Sequence, residues 1–181
     1  MSIDSDAILK RYADGERDFS NSQLSQANLA QADLRAASLE SADLSKANCI
    51  DVDLMGANLT KANCQHTNLY QANLTDANLT EANLHQADLR RAQLHRTNLQ
   101  GATLTQANLM ECQLVGANLQ GAIFGKADLY DCELAGADLC SADLRGADIF
   151  GAKLADAYYD ERTQFDPGVN PDQLKMQKAS A

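Results

Sequence analysis

The side chains best equipped for chemistry in this 181-residue chain are five cysteines and three histidines. His66 and His85 share a site only if the chain returns on itself between them, and their neighbours are Asn63, Gln65, Asn83 and Gln86. Amides do not complete the thiolate, imidazole or carboxylate set that zinc prefers. His95 stands apart from that pair. The cysteines show no CxxC spacing, and an odd number argues against a disulfide framework. Nothing around Cys140 is arranged to lower its pKa and make it a nucleophile. No Ser-His-Asp set, glycine-rich phosphate loop or carboxylate pair in a cleft is recognisable. The chain is therefore expected not to be an enzyme and to need no cofactor or metal.

Composition narrows the partners. Fifteen basic side chains stand against 25 acidic ones, a formal net charge of −10. Direct binding to nucleic acid or to an anionic membrane needs a basic face, so neither is expected. No apolar run approaches the ~20 residues that span a bilayer. Acids from Asp4 onward rule against a secretory signal, so the expected location is cytoplasmic. With no Trp and few aromatic residues, something other than large rings must fill the core.

What fills it is a repeat. From Ser22 to Leu154 the chain reads A-(N/D)-L-x-x without insertion or deletion, with leucine at Leu24, Leu29, Leu34, Leu39, Leu44 and onward. Only Cys49, Cys64, Phe124 and Ile149 replace leucine, and Ser22, Val52, Thr67, Thr97, Cys112 and Cys132 replace alanine. On an α-helix, five residues advance about 500°, so these leucines would form no stripe. On a flat strand an odd period sends alternate leucines to opposite faces. If the chain instead turns a quarter-circle at each quintet, every leucine points to one axis and every alanine points inward beside it. Four quintets close a coil of 20 residues. Roughly seven coils at ~4.8 Å spacing make a rod about 33 Å long. Each buried leucine adds about 1.5–3 kcal/mol, which makes the core ample.

This pattern resembles the pentapeptide-repeat family, most closely its cyanobacterial members, over about three quarters of the chain. The resemblance implies an all-β solenoid, a right-handed quadrilateral β-helix, with short helical caps at both ends. The expected organisation is a helical cap over 1–18, the β-helix over 19–157, and a cap and tail over 158–181. Ile8, Leu9 and Tyr12 lie at helical spacing between Ser5, a potential N-cap, and Gly15, a stop. Asn170-Pro171-Asp172 reads as the start of a second helix near Pro171–Gln177. Some relatives protect or inhibit DNA gyrase through acidic rods that imitate duplex DNA, and others act as regulatory or scaffold proteins. The acidic DNA mimic that binds gyrase or another DNA-handling enzyme is the alternative function. The regular repeats and the lack of continuous acidic bands count against it.

With 20 residues per coil, positions 20 apart stack vertically, which turns the sequence into a surface map. On the face centred on Leu29–Ile149, one outward column reads Ala30, Ile50, Tyr70, Arg90, Met110, Tyr130, Phe150. The equivalent column on the face centred on Leu39 and Leu59, Glu40 to Cys140, reads as polar throughout. Aromatic, Met and Arg groups at such positions have the composition of an interface core. The plainer alternative is that they suit a parallel ladder. The same face carries Asp51 and an acidic patch of Asp88, Glu111, Asp128, Asp131 and Asp148, against Arg90 and Arg91. The expected function is a protein-interaction, scaffold or regulatory module with a protein partner. Self-association into a homodimer could use the same stripe, with end-to-end stacking as the competing geometry. Cys49 and Cys64 should be buried and inert. Cys112 and Cys132 should be neighbours on adjacent coils that stay reduced, since their parallel side chains point the same way.

Overall fold

The central leucine of each quintet is followed by one and the same bend. In the computed structural model, which describes residues 5–179, the second residue after leucine has a left-handed backbone, with φ 59° at both Gln71 and Arg91. The third donates back to the leucine carbonyl, as from Ala72 to Leu69 at 3.0 Å. This is a β-turn with positive φ at its third residue. Four such turns return the chain one tier higher, so that Asn68 pairs in parallel with Asn48 below and Asp88 above. Three ladder bonds per quintet hold the tiers together: Leu69 N–H to Asp88 O at 2.7 Å, Gln71 N–H to Arg90 O at 3.0 Å, and Asn68 N–H to Ala47 O at 3.0 Å. The pattern runs through seven coils, from Phe19 to Tyr158.

The axis is dry. Leu24 to Leu144, with Cys49, Cys64 and Phe124 in the same columns, are at most 2% exposed. Thr67 and Thr97 bring hydroxyls into the alanine columns, and each donates to a leucine carbonyl, of Leu44 and Leu74 respectively, at 2.7 Å. Among the described residues no buried side-chain polar atom lacks a partner.

One backbone donor per quintet, the N–H of the residue after leucine, meets no carbonyl of a neighbouring coil. Where that place is Asn or Asp, as in most quintets, its side-chain oxygen supplies the acceptor. Asn68 takes the Tyr70 N–H at 3.1 Å, and Asp128 takes the Tyr130 N–H at 3.0 Å. These local Asx bonds explain the second letter of the repeat, which reads in sequence only as an outward polar position. Ile123 is apolar at that place, 42% exposed, and the Gly125 N–H finds no acceptor among the described residues. Ile123→Asn is expected to raise stability by about 1 kcal/mol. It would appear as a higher urea midpoint with an unchanged slope; a lower midpoint would contradict the role given to this side chain.

At the N-terminal end, helix α1 (Ser5–Ala13) lies against the first coil. It buries Ile8 completely, and the Tyr12 ring stands 6.5 Å from that of Phe19. The Tyr12 hydroxyl donates to the Arg35 carbonyl at 3.0 Å. Gly15, at φ 98°, closes the helix: its N–H reaches Tyr12 O and the Glu16 N–H reaches Arg11 O. The Ser5 side chain, expected as the N-cap, lies outside the described residues.

The C-terminal end departs from expectation. The helix expected near Pro171–Gln177 is absent, and Asn170–Lys175 forms a single hydrogen-bonded turn. It starts as read, with Asn170 accepting from the Asp172 N–H. It then closes at once, because Lys175 turns left-handed (φ 57°) while its N–H bonds Asp172 O and the Met176 N–H bonds Pro171 O. That closure buries Met176 and lets strand β2 (Gln177–Lys178) pair in parallel with β1 (Tyr158–Tyr159). Register slips here too. Asp143 pairs with Gln164, one residue beyond its regular partner, and Tyr158 with Gln177, one short of it.

Two carboxylates close the gaps left by that slip. Asp160 accepts the Ser141 N–H at 2.8 Å, and Asp166 accepts the Gly146 N–H at 3.0 Å. Burial pushes the Asp160 pKa up, but hydrogen bonds from Ser141, Thr163 and the Arg162 N–H outweigh it and bring it to about 2. A carboxyl depressed below its unfolded value of ~3.9 stabilises the fold above that pH and ceases to do so as pH falls through about 2. Faster amide exchange at Ser141 is therefore expected as pH drops between those values, relative to the intrinsic rate. Asp160→Asn should remove that pH dependence; a dependence that survives in Asp160→Asn would assign it to another group. No helix among the described residues is long and apolar enough to cross a membrane.

Candidate interaction surface

The vertical alignment puts the outward column where the register requires. Each member follows a central leucine or its replacement and donates its N–H to the Asn or Asp two residues before it, so its side chain leaves the wall at a fixed height. Ile50, Tyr70 and Met110 are half-buried against their column neighbours, and Arg90 is exposed. Tyr130 is 36% exposed and Phe150 72%. The Tyr130 and Phe150 rings stack at 5.9 Å with 16° between planes, and the Arg90 guanidinium lies over Tyr70 at 5.5 Å. The lower column is thus packed on itself, as a ladder would be, whereas its upper end presents two adjacent rings to solvent. Other exposed apolar groups, such as Met55 and Val115, are separated by three coils on a different face.

A shallow cleft of about 220 Å³ lies mid-column, lined by Tyr70, Arg90, Arg91, Met110 and Glu111. Its charges are internally matched. Arg90 makes a two-pronged contact with Asp88 at 2.8 and 2.6 Å, and Arg91 bonds Glu111 at 2.9 Å. Burial opposes ionisation of Asp88, but the Arg90 guanidinium and N–H outweigh it and hold the carboxyl below its ordinary range. The acidic patch therefore divides. Asp88 and Glu111 are paired, whereas Asp128, Asp131 and Asp148 make no ion pair among the described residues. Asp128 and Asp148 accept the Tyr130 and Phe150 N–H groups, and Asp131 follows Tyr130 in its turn. The pairing was readable in part, because Asp-Leu-Arg occurs as Asp33–Arg35, Asp88–Arg90 and Asp143–Arg145, and each arginine folds back onto its own aspartate at 2.6 Å.

The groups with chemical potential are otherwise engaged. The His66 and His85 rings meet edge-on at 6.0 Å, and His85 Nδ1 lies 2.7 Å from Thr105 Oγ1. No cluster of three metal-binding side chains occurs among the described residues. All five cysteines are free thiols. Burial raises the Cys49 pKa to about 12, and burial with the neighbouring Cys132 raises that of Cys112. Cys140 sits in a wider cleft of about 710 Å³ near the C-terminal turn, where burial and then Asp138 and Asp160 push its pKa to about 12. A thiol so raised is a poor nucleophile at neutral pH.

The sequence model of the pentapeptide repeats matches residues 22–60, 57–95, 87–125 and 122–158, in eight copies. No curated protein matches the chain. Among solved structures, it is similar to trypsin-treated QnrB1, described as a plasmid-mediated fluoroquinolone resistance protein. That likeness has 17% identity and a TM-score of 0.55, covering 90% of this chain and 77% of the other. Rfr23, a pentapeptide repeat protein from the cyanobacterium Cyanothece 51142, is 27% identical, with a TM-score of 0.45 over 74% of this chain and 91% of the other. HetL, described as involved in heterocyst differentiation regulation in the cyanobacterium Nostoc sp. strain PCC 7120, is 29% identical, with a TM-score of 0.25 over 87% and 96%.

Proposed function

The chain belongs to the pentapeptide-repeat family and its fold is the right-handed quadrilateral β-helix, and from that premise we propose that it is a non-enzymatic interaction or scaffold module. Its working face is the one centred on Leu29–Ile149. The observation that carries this reading is the column from Tyr70 to Phe150, whose upper rings are exposed side by side, next to the unpaired Asp128, Asp131 and Asp148. An apolar centre with anionic neighbours suits a protein partner with a basic, partly apolar surface. The cleft on this face, about 220 Å³, is of the kind that helps recognition rather than the enclosure usual for catalysis.

Replacing Tyr70 and Tyr130 together by Ser is expected to weaken capture of partner protein from the native organism's lysate at least tenfold. The melting temperature should move little, because both side chains lie outside the leucine axis. Capture that is unaffected would remove this face from consideration. The acidic DNA mimic draws its support from the acidic excess alone, and pairing of Asp88, Glu111 and Glu133 with Arg90, Arg91 and Lys153 interrupts any phosphate-like row. A gyrase supercoiling assay at micromolar protein separates the two: inhibition supports the mimic, and no effect leaves the interaction module.

A further inference from the structure

The seventh coil is roofed unevenly. The returning chain pairs with its Asp143 corner through Gln164 and with its Asp156 corner through Lys175, and between them it skips 147–152. Along that stretch the N–H groups of Ile149 and Gly151 donate to nothing, and the carbonyls of Ala147 and Ala152 accept nothing, among the described residues. One coil below, the same four positions are all engaged: Leu129 N–H reaches Asp148 O, Asp131 N–H reaches Phe150 O, and Ala127 and Cys132 carbonyls accept from Asp148 and Lys153. The side chains record the same gap. Leu129 and Ala127 are at most 1% exposed, whereas Ile149 and Ala147 are only partly buried and Phe150 stands 72% exposed.

We propose that this rim is a docking site for a short peptide of a partner protein, which repeats one strand and turn of the coil above Ala147–Ala152 and pairs with its free backbone groups. This reading rests on the interaction face proposed above only in sharing Phe150 with it. The spacing of donors and acceptors defines the occupant as a backbone with the coil's own strand and turn, since the rod itself satisfies the identical pattern with one more tier. A second rod is the poorer fit. The cap stands one tier, about 4.8 Å, above the rim on the other sides and keeps a flat rod end from reaching it, whereas a single strand is one tier thick.

The rod's own register also specifies side chains. A peptide residue above Ile149 points to the axis and should be leucine-like. The next, above Phe150, continues the ring stack whose spacing Tyr130 and Phe150 already show. The one after stands over Gly151, where the Asp131 carboxylate rises. With Asp128 and Asp148 alongside, that place calls for Lys or Arg. The preferred segment is therefore apolar, aromatic, basic in that order.

The test is fluorescence anisotropy of the full chain with a fluorescein-labelled peptide, Lys-Ala-Asn-Leu-Tyr-Lys-Ala. Saturable binding with a Kd below about 1 mM is expected. Methylating the backbone nitrogen of the peptide Asn, whose N–H meets the Ala147 carbonyl, should weaken it at least tenfold. Phe150→Asp and exchange of the Lys after Tyr for Glu should each do the same, and Tyr70→Ser should not. Equal affinity of the methylated peptide, or no saturation by 1 mM, overturns the proposal. So does sedimentation showing a dimer that Phe150→Asp dissociates, which would make the rim a self-interface. Loss of partner capture in the Tyr70/Tyr130 variant with peptide binding absent sinks the rim alone; the converse sinks the face and spares the rim.

Discussion

Leu94→Ala should destabilise the rod by about 3 kcal/mol, near the middle of the range for a fully buried leucine. Leu94 is completely buried between Leu74 below and Leu114 above in its column. Each of those leucines is held at its height by a ladder bond to the tier above: Leu74 N–H bonds Gln93 O at 2.7 Å and Leu114 N–H bonds Glu133 O at 2.7 Å. The neighbours cannot slide along the axis to fill the void, so little of the cavity cost is recovered. At this chain length about 3 kcal/mol lowers the melting temperature by roughly 6–12 °C. Tiers in a solenoid stabilise mainly their nearest neighbours, so amide exchange should quicken first in the fourth and fifth coils. A loss below 1 kcal/mol would mean that the coil collapses around the missing atoms, contrary to a wall of fixed pitch.

Ala92→Leu is expected to cost about as much by the opposite route. Ala92 is fully buried between Ala72 and Cys112 in the small-residue column. Its carbonyl accepts the Gln113 N–H at 3.0 Å, and the N–H next to it reaches Ala72 O at 2.9 Å. A leucine here forces the wall outward, adding to the 1–3 kcal/mol typical of overpacking the loss of ladder bonds worth about 1 kcal/mol each. The pair Leu94→Ala with Ala92→Leu conserves total volume, yet it should unfold at a lower urea concentration than either single variant. A double variant as stable as the singles would show that the interior tolerates redistribution of volume, and that the two columns are not distinct sites.

Both columns were legible in the sequence because their period is a property of the backbone and admits no other element. Less was legible wherever side chains settle the outcome locally. Asn68 and its equivalents read as solvated polar residues, although their oxygens bond the turn N–H. The C-terminal turn begins at the expected Asn170-Pro171, but the residue that ends it is Lys175, and a lysine carries no signal for left-handed backbone. The vertical alignment of Tyr70 to Phe150 followed from the register. That Asp88 and Glu111 are neutralised while Asp128, Asp131 and Asp148 are not depended on arginine rotamers. The uncovered rim at Ala147–Ala152 had no counterpart in the repeat, because it is caused by the course of the chain beyond it.

Because every partner in the regular rod lies at one constant interval, from Asp18–Ser38 to Asp138–Tyr158, the molecule can be shortened by whole storeys. Excising 79–98 would join Asn78 to Leu99, which follows an asparagine already, and would set each severed hydrogen-bonding row onto an equivalent one. Only the tally of anchors along the wall would change. A lineage that gains or loses such units can therefore change the rod's length without redesigning either end.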